Sequence, residues 1–145
     1  SQRPELEYKK GPDVLWKTGE LNYLVIECKN EATVSTISKR YCNQLNGSGT
    51  WFETKYDQTC TYTPIMVHPS ALFEYAASPN PRIRIITEEK LLEFCNAVRE
   101  FIKSICVNHE LNNKAVIRQK LIAYKLRAND IVESYTVPFS VKNQP

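Results

Sequence analysis

The stretch Leu24-Val25-Ile26-Glu27-Cys28-Lys29-Asn30 is the most informative part of this sequence. Its apolar run follows a turn-prone Thr18-Gly19 pair and is typical of a buried β-strand. Because side chains alternate along a strand, we expect Glu27 and Lys29 to share one face and Cys28 to lie on the other. Burying an acid and a base together at the end of a core strand costs free energy unless they are paired or bind a metal. The stretch therefore predicts a functional site.

A second acidic residue precedes this stretch in Gly11-Pro12-Asp13-Val14-Leu15-Trp16. Residues 14–17 and 21–29 form a predicted β-hairpin with its turn at 18–20, which brings Asp13 toward Glu27. Two neighbouring carboxylates suit Mg²⁺, which prefers oxygen ligands and polarises a phosphoryl group. Nearby negative charge favours the ammonium form of Lys29, so we expect this lysine to orient water or to stabilise charge on a phosphate. The reaction that best fits two carboxylates, a divalent cation and a lysine is phosphodiester hydrolysis.

Pro12-Asp13 followed by Glu27-Cys28-Lys29 resembles the signature of the PD-(D/E)XK nuclease superfamily. The resemblance implies an α/β, restriction-endonuclease-like fold with a mixed central sheet flanked by helices. It implies that Asp13 and Glu27 bind Mg²⁺ or Mn²⁺, that the backbone carbonyl of Cys28 is a further ligand, and that Lys29 is the catalytic lysine. The alternative is a surface hairpin with an ordinary ion pair.

The segment after the lysine has a helical pattern. Ile37, Tyr41 and Leu45 recur at i, i+4 and i+8 and form an apolar stripe, with Gln44 beside it. Many members of the superfamily carry a glutamine on this helix that reaches back to the active site, so the resemblance implies a catalytic role for Gln44. A solvent-facing amide is the alternative. Asn46-Gly47-Ser48-Gly49 then interrupts the pattern, so the predicted helix, over about 34–56, ends there, kinks or continues.

The remaining pattern predicts a strand over 61–68, a strand over 82–86, and an amphipathic helix that starts near Thr87. Asn112-Asn113 caps a predicted last helix that runs to about Ala128, and residues 135–141 form a terminal strand or an extended tail. A mixed sheet flanked by helices follows from this order. His68 ends its strand, where active sites of α/β folds gather, and the alternative is a hydrogen-bonded histidine near the core edge.

The length and the net charge limit the number of domains and the kinds of partner that this chain can have. The 145 residues predict one domain, and a net charge of +3 with a pI of about 8.6 permits an anionic partner. Basic residues cluster in four places: Lys9-Lys10, Lys39-Arg40, Arg82 with Arg84, and the Lys114 to Arg127 segment. We expect phosphate contacts from Lys39, Arg40, Lys114 and Arg118. These contacts would weaken steeply with salt. A solvated helix face is the alternative for the Lys114 to Arg127 segment.

Five cysteines without the spacing of a zinc site predict reduced thiols and an intracellular protein, in the cytoplasm or in the nucleus or nucleoid. We expect Cys28 to be a small core residue rather than a nucleophile. The chain begins with serine and is expected to be part of a larger protein. On this interpretation residues 1–10 are the remnant of an N-terminal segment, with Glu5 and Glu7 as its acidic candidates, and residues 111–145 are a helical extension and tail.

The leading hypothesis is a metal-dependent nuclease domain that acts on DNA rather than RNA. Residues 11–69 also resemble nuclease domains appended to helicase-type ATPases, so a helicase is the expected parent protein. Contacts would fall on phosphates, because the sequence has no base-reading motif. The alternative is a catalytically inactive nuclease-fold module for nucleic-acid binding or protein docking. A third hypothesis, an enzyme that uses Cys28 or His68, lacks a supporting Cys-His spacing.

Overall fold

The computed structural model describes residues 11–29 and 34–145 of the chain. The predicted N-terminal remnant, with Glu5 and Glu7, lies outside the described residues. In chain order the elements are β1 (Val14–Lys17), β2 (Asn22–Cys28), α1 (Lys39–Lys55), β3 (Thr61–Val67), β4 (Leu72–Phe73), β5 (Arg84–Ile86), α2 (Glu88–Val107), α3 (Lys114–Ala123), α4 (Ala128–Tyr135), β6 (Val137–Pro138) and β7 (Ser140–Val141). They divide into two compact units, one formed within residues 1–87 and 137–145, the other by residues 88–136.

The first unit is built on a mixed sheet, as predicted. Within the described residues the sheet has five strands in the order β1-β2-β3-β5-β6. β2 pairs in parallel with β3, and β3 in parallel with β5, whereas β1 and β6 are antiparallel edge strands. The predicted hairpin of β1 and β2 is confirmed. The apolar runs of β2 and β3 lie in the centre, because parallel strands are covered on both faces.

Helix α1 packs on this sheet and contributes Cys42, Leu45 and Phe52 to the hydrophobic core. It starts at Lys39, five residues later than predicted. Residues 34–38 are not helical because Ile37 forms a bridge with Phe73.

The Asn46-Gly47-Ser48-Gly49 segment does not end α1, which continues through it to Lys55. Gly49 explains the continuation, since a Cβ atom there would lie 2.6 Å from the hydroxyl oxygen of Tyr62. The glycine lets the helix approach β3 closely, and that packing outweighs the low helix propensity of glycine.

The second unit consists of α2, α3 and α4. The predicted amphipathic helix is confirmed as α2, and the predicted cap is confirmed at Asn113, whose side chain accepts a hydrogen bond from the Val116 N–H at 3.2 Å. A single last helix to Ala128 was a wrong prediction. The chain turns after α3, where Lys125 adopts a left-handed φ of 55°, and α4 follows. The Tyr135 hydroxyl donates to the Tyr124 carbonyl at 2.6 Å and stabilises this turn.

The C-terminal residues return to the first unit. Of the two predicted alternatives for 135–141, the strand is confirmed in part: Tyr135 ends α4, and two short strands follow, with β6 paired to β5 and β7 paired to β4. Across the described parts of the chain, no helix combines the length and the apolar character needed to cross a bilayer.

Candidate active site

The β1–β2 hairpin places Asp13 beside Glu27. Val14 lies opposite Ile26 in the antiparallel register, so the preceding residue, Asp13, falls opposite Glu27. The Asp13 Oδ2 accepts a hydrogen bond from the Cys28 N–H at 2.8 Å, which fixes the carboxylate against the end of β2. The charge of Asp13 contributes to raising the pKa of Glu27. The hairpin therefore holds two carboxylates together at one strand end.

Glu27 is buried, with 5% of its surface exposed. Its Oε1 accepts a 2.6 Å hydrogen bond from the Ser48 hydroxyl of α1, and its Oε2 lies 3.3 Å from the Lys29 Nζ. Burial raises the pKa of Glu27 above its usual range, with a further upward contribution from Asp13, whereas Ser48 and Lys29 act in the opposite direction. The buried acid is thus partnered on both oxygens, yet its charged form is disfavoured, a combination that is common at functional sites.

The side chain of Lys29 is held on two sides. Besides its ion pair with Glu27, its Nζ lies 5.1 Å from the centre of the Tyr41 ring. Such cation–π contacts are worth about 0.5–1 kcal/mol at exposed sites and more when water is excluded. Glu27 and Lys29 therefore share one face of β2, as the alternation predicts, and Tyr41 limits the motion of the ammonium group.

Cys28 contributes its backbone rather than its thiol to this strand end. Its N–H points toward β1, where it meets Asp13, while the N–H of the next residue, Lys29, points to the Val67 carbonyl in β3. Because the N–H and C=O of one strand residue point to the same edge, the Cys28 carbonyl is directed to the Asp13 side. Burial raises the pKa of the Cys28 thiol, and both neighbouring carboxylates add to this effect, so the thiol is no ready nucleophile.

A cleft of about 850 Å³ opens over this strand end. It is lined by Gly11, Asp13, Glu27, Lys29, Lys39, Arg40, Asn43, Gln44, Gly47 and Ser48. The predicted catalytic residues Asp13, Glu27, Lys29 and Gln44 thus lie in one cleft. Lys39 and Arg40 join them from the first turn of α1. The other two predicted phosphate contacts, Lys114 and Arg118, lie exposed on α3 in the second unit.

Sequence reasoning missed the residues that α1 adds beyond Gln44. Arg40, Gln44, Gly47 and Ser48 follow one another at i, i+4, i+7 and i+8, which places them on one helix face. The helical spacing of these residues was the signal in the sequence that could have identified this face of the cleft. Ser48 could not be assigned to this face, because it lies in the Asn46-Gly47-Ser48-Gly49 segment that interrupts the helical pattern of the sequence.

The donor set at the strand end fits a hard cation in part. Among the described residues, no group of three or more His, Cys, Asp or Glu side chains is placed to hold a metal ion. The donors present are two carboxylates and a main-chain carbonyl, all oxygen. Mg²⁺ keeps several waters and is commonly held by one or two carboxylates together with substrate phosphates, so the small set is compatible with it.

His68 lies at the end of β3 but does not belong to the cleft lining. It is 1% exposed, and its Nδ1 accepts a hydrogen bond from the Ser70 N–H at 2.9 Å, which leaves the proton of the neutral ring on Nε2. Nε2 has no hydrogen-bond partner among the residues the structure describes. Burial lowers the pKa of His68, and its ring meets the Tyr41 ring edge-on at 6.2 Å. These contacts match the core-edge alternative.

Comparison with protein-family models, with curated proteins and with solved structures found no match to this chain.

Proposed function

We propose that this chain is a metal-dependent nuclease domain of the PD-(D/E)XK type, with a restriction-endonuclease-like fold, that hydrolyses phosphodiester bonds of DNA. One observation carries the proposal: Asp13, Glu27 and Lys29 meet at the end of adjacent strands, in a cleft that also contains Gln44 and two basic residues. A purely structural strand end does not need a buried carboxylate whose pKa is raised.

The roles follow from the positions of the side chains. Asp13, Glu27 and the Cys28 carbonyl would hold Mg²⁺ or Mn²⁺, which when bound would polarise the phosphoryl group and acidify a water. Lys29, kept in place by Glu27 and Tyr41, would stabilise negative charge on the phosphate or orient the attacking water. Gln44 would position the same water or a phosphate oxygen through its amide group.

Lys39 and Arg40 supply the substrate-binding charge in this proposal. They occupy the first turn of α1, which contains no acidic residue of its own, and the Glu74 carboxylate accepts a hydrogen bond from the Lys39 N–H at this helix end. Cations in this position are unfavourable for the helix itself. Their presence in the cleft lining is explained if they hold the phosphate backbone of DNA. An intracellular location and a larger helicase-type parent protein are proposed from the sequence alone.

A second function is favoured by one specific observation. The absence of a three-ligand group among the described residues would fit a nuclease-fold module that binds nucleic acid or docks to a protein without catalysis. Such a module has no need for Asp13, Glu27 and Lys29 together in one cleft, so we place it second.

The test is a cleavage assay with labelled duplex and single-stranded DNA in Mg²⁺, in Mn²⁺ and in EDTA. We expect metal-dependent cleavage that disappears in Lys29→Ala and persists in Lys55→Ala, which removes an exposed lysine at the far end of α1. Cleavage that continues in Lys29→Ala would contradict the assigned site. DNA binding without cleavage in any metal would favour the binding module.

A further inference from the structure

Gly47 is a glycine in the interior of α1 that the packing does not require. Apart from its chain neighbours and the adjacent backbone of α1, a Cβ atom built on it would meet no atom of the described residues within 4 Å. Glycine in a helix interior is less favourable than alanine by about 0.5–1 kcal/mol. Gly49 shows the opposite situation two residues later, because its Cβ would collide with the Tyr62 hydroxyl at 2.6 Å. The helix therefore contains one glycine explained by packing and one that is not.

The unexplained glycine faces the cleft. Gly47 belongs to the lining, and it directly precedes Ser48, whose hydroxyl donates to Glu27 at 2.6 Å. Asn43 and Gln44, one turn earlier on the same face, also line the cleft. The open space at Gly47 thus belongs to the cleft that Glu27, Asn43 and Gln44 also line.

We propose that Gly47 is a substrate-binding position that leaves room for the sugar–phosphate backbone of a nucleic-acid strand to lie directly against α1. The inference rests on the proposed nuclease function. A phosphodiester must come close to Asp13 and Glu27 to be hydrolysed there, and glycine allows a ligand to approach the helix backbone. Asn43 and Gln44 offer amide donors for phosphate oxygens on one side of the gap.

The position of Arg40 indicates how the nucleic-acid strand would lie along the helix. Arg40 lies seven residues before Gly47 on the same cleft-lining face, which corresponds to about 10 Å along a helix axis with a rise of 1.5 Å per residue. One phosphate at Gly47 and a further phosphate near Arg40 would lie along α1. A side chain at residue 47 would push the strand away from the carboxylates.

The experiment compares Gly47→Ala and Gly47→Leu with Thr50→Leu, which adds the same side chain at an exposed position of α1 outside the cleft lining. Thermal unfolding, Mn²⁺ binding by calorimetry, DNA affinity by fluorescence anisotropy in EDTA, and cleavage in Mg²⁺ are measured for each protein. Gly49→Ala serves as the packing control and is expected to lower Tm.

We expect both Gly47 variants to keep or raise Tm and to bind Mn²⁺ like the wild type. Gly47→Leu should cleave about 100-fold more slowly, since a displacement of about 1 Å at a reacting group has effects of this size. Gly47→Ala should show a smaller loss, and Thr50→Leu none. If Gly47→Leu does not fold, the decrease in the cleavage rate of Gly47→Ala tests the inference instead.

Two outcomes separate this inference from the proposed function. Unchanged cleavage and DNA affinity in both Gly47 variants, with an active wild type, would overturn the inference and leave the nuclease assignment standing. A wild-type protein that neither binds Mn²⁺ nor cleaves DNA would overturn the proposed function, and the role of Gly47 with it.

Discussion

The Ser48 hydroxyl of α1 donates a 2.6 Å hydrogen bond to the Glu27 carboxylate of β2, and this bond joins the helix face of the cleft to its strand face. Both residues are buried, with exposures of 1% and 5%. The bond also lowers the pKa of Glu27 and so opposes the larger effect of burial. The hydrogen bond from the helix thus favours the charged form of the buried acid.

Ser48→Ala is expected to weaken both the fold and the site. It leaves a buried carboxylate oxygen without its partner, which costs about 1–3 kcal/mol and lowers Tm by several degrees. The pKa of Glu27 rises further, so Mn²⁺ binding should need a higher pH than in the wild type. Thermal unfolding and calorimetry across pH test this, with Thr50→Ala as the exposed control on the same helix. An unchanged pH dependence of Mn²⁺ binding would contradict the role of Ser48.

Glu27→Gln is expected to separate stability from function. The pKa of Glu27 is raised in the folded protein, mainly by burial, so stability is fully present below the ordinary glutamate pKa and is lost as pH rises through the folded value. Glutamine keeps the neutral form at every pH. The variant should therefore unfold at a higher temperature than the wild type at neutral pH, while Mn²⁺ binding and cleavage disappear. Equal or lower Tm at neutral pH would show that the charge of Glu27 is not costly.

Because of His68, we expect the free energy of unfolding to depend on pH in the mildly acidic range. Burial lowers its folded pKa below its usual value near 6.5, so the unfolded chain takes up a proton first as pH falls. Stability is present above pH 6.5 and decreases as pH falls toward the folded pKa. Urea unfolding between pH 7.5 and pH 5 tests this, and His68→Phe should flatten the curve. His109 is exposed and has a left-handed φ of 52°, so His109→Asn is the control variant measured alongside.

Lys39 and Arg40 should control the salt dependence of DNA binding. Each phosphate contact contributes about 0.9 to the slope of log K against log salt for duplex DNA. Lys39→Gln with Arg40→Gln is therefore expected to reduce the slope by about 1–2 and to weaken binding at low salt. The same measurement on Lys114→Gln with Arg118→Gln tests the predicted contacts on α3. A slope that stays the same without Lys39 and Arg40 would exclude them from the DNA-binding surface.

The sequence predicted the strand end well because its signals are local. The apolar run of β2, the alternation that pairs Glu27 with Lys29, and the turn before them depend only on neighbouring residues. The roles of Ser48 and Gly47 could not be predicted from such local signals, because they depend on how α1 packs on β2. Local propensity suggested a break at 46–49, whereas the contact of Gly49 with Tyr62 keeps the helix continuous. The separation of α3 and α4 at Lys125 likewise depends on a bond to a distant tyrosine, Tyr135.

The central claim is that Asp13 and Glu27 hold one divalent cation, and a calorimetric titration of Mn²⁺ tests it most directly. We predict binding of one ion by the wild type, and its loss in Asp13→Asn and in Glu27→Gln. Glu53→Gln, which changes an exposed carboxylate of α1 outside the cleft lining, should bind like the wild type. Absence of Mn²⁺ binding by the wild type, or equal binding by all four proteins, would contradict the claim.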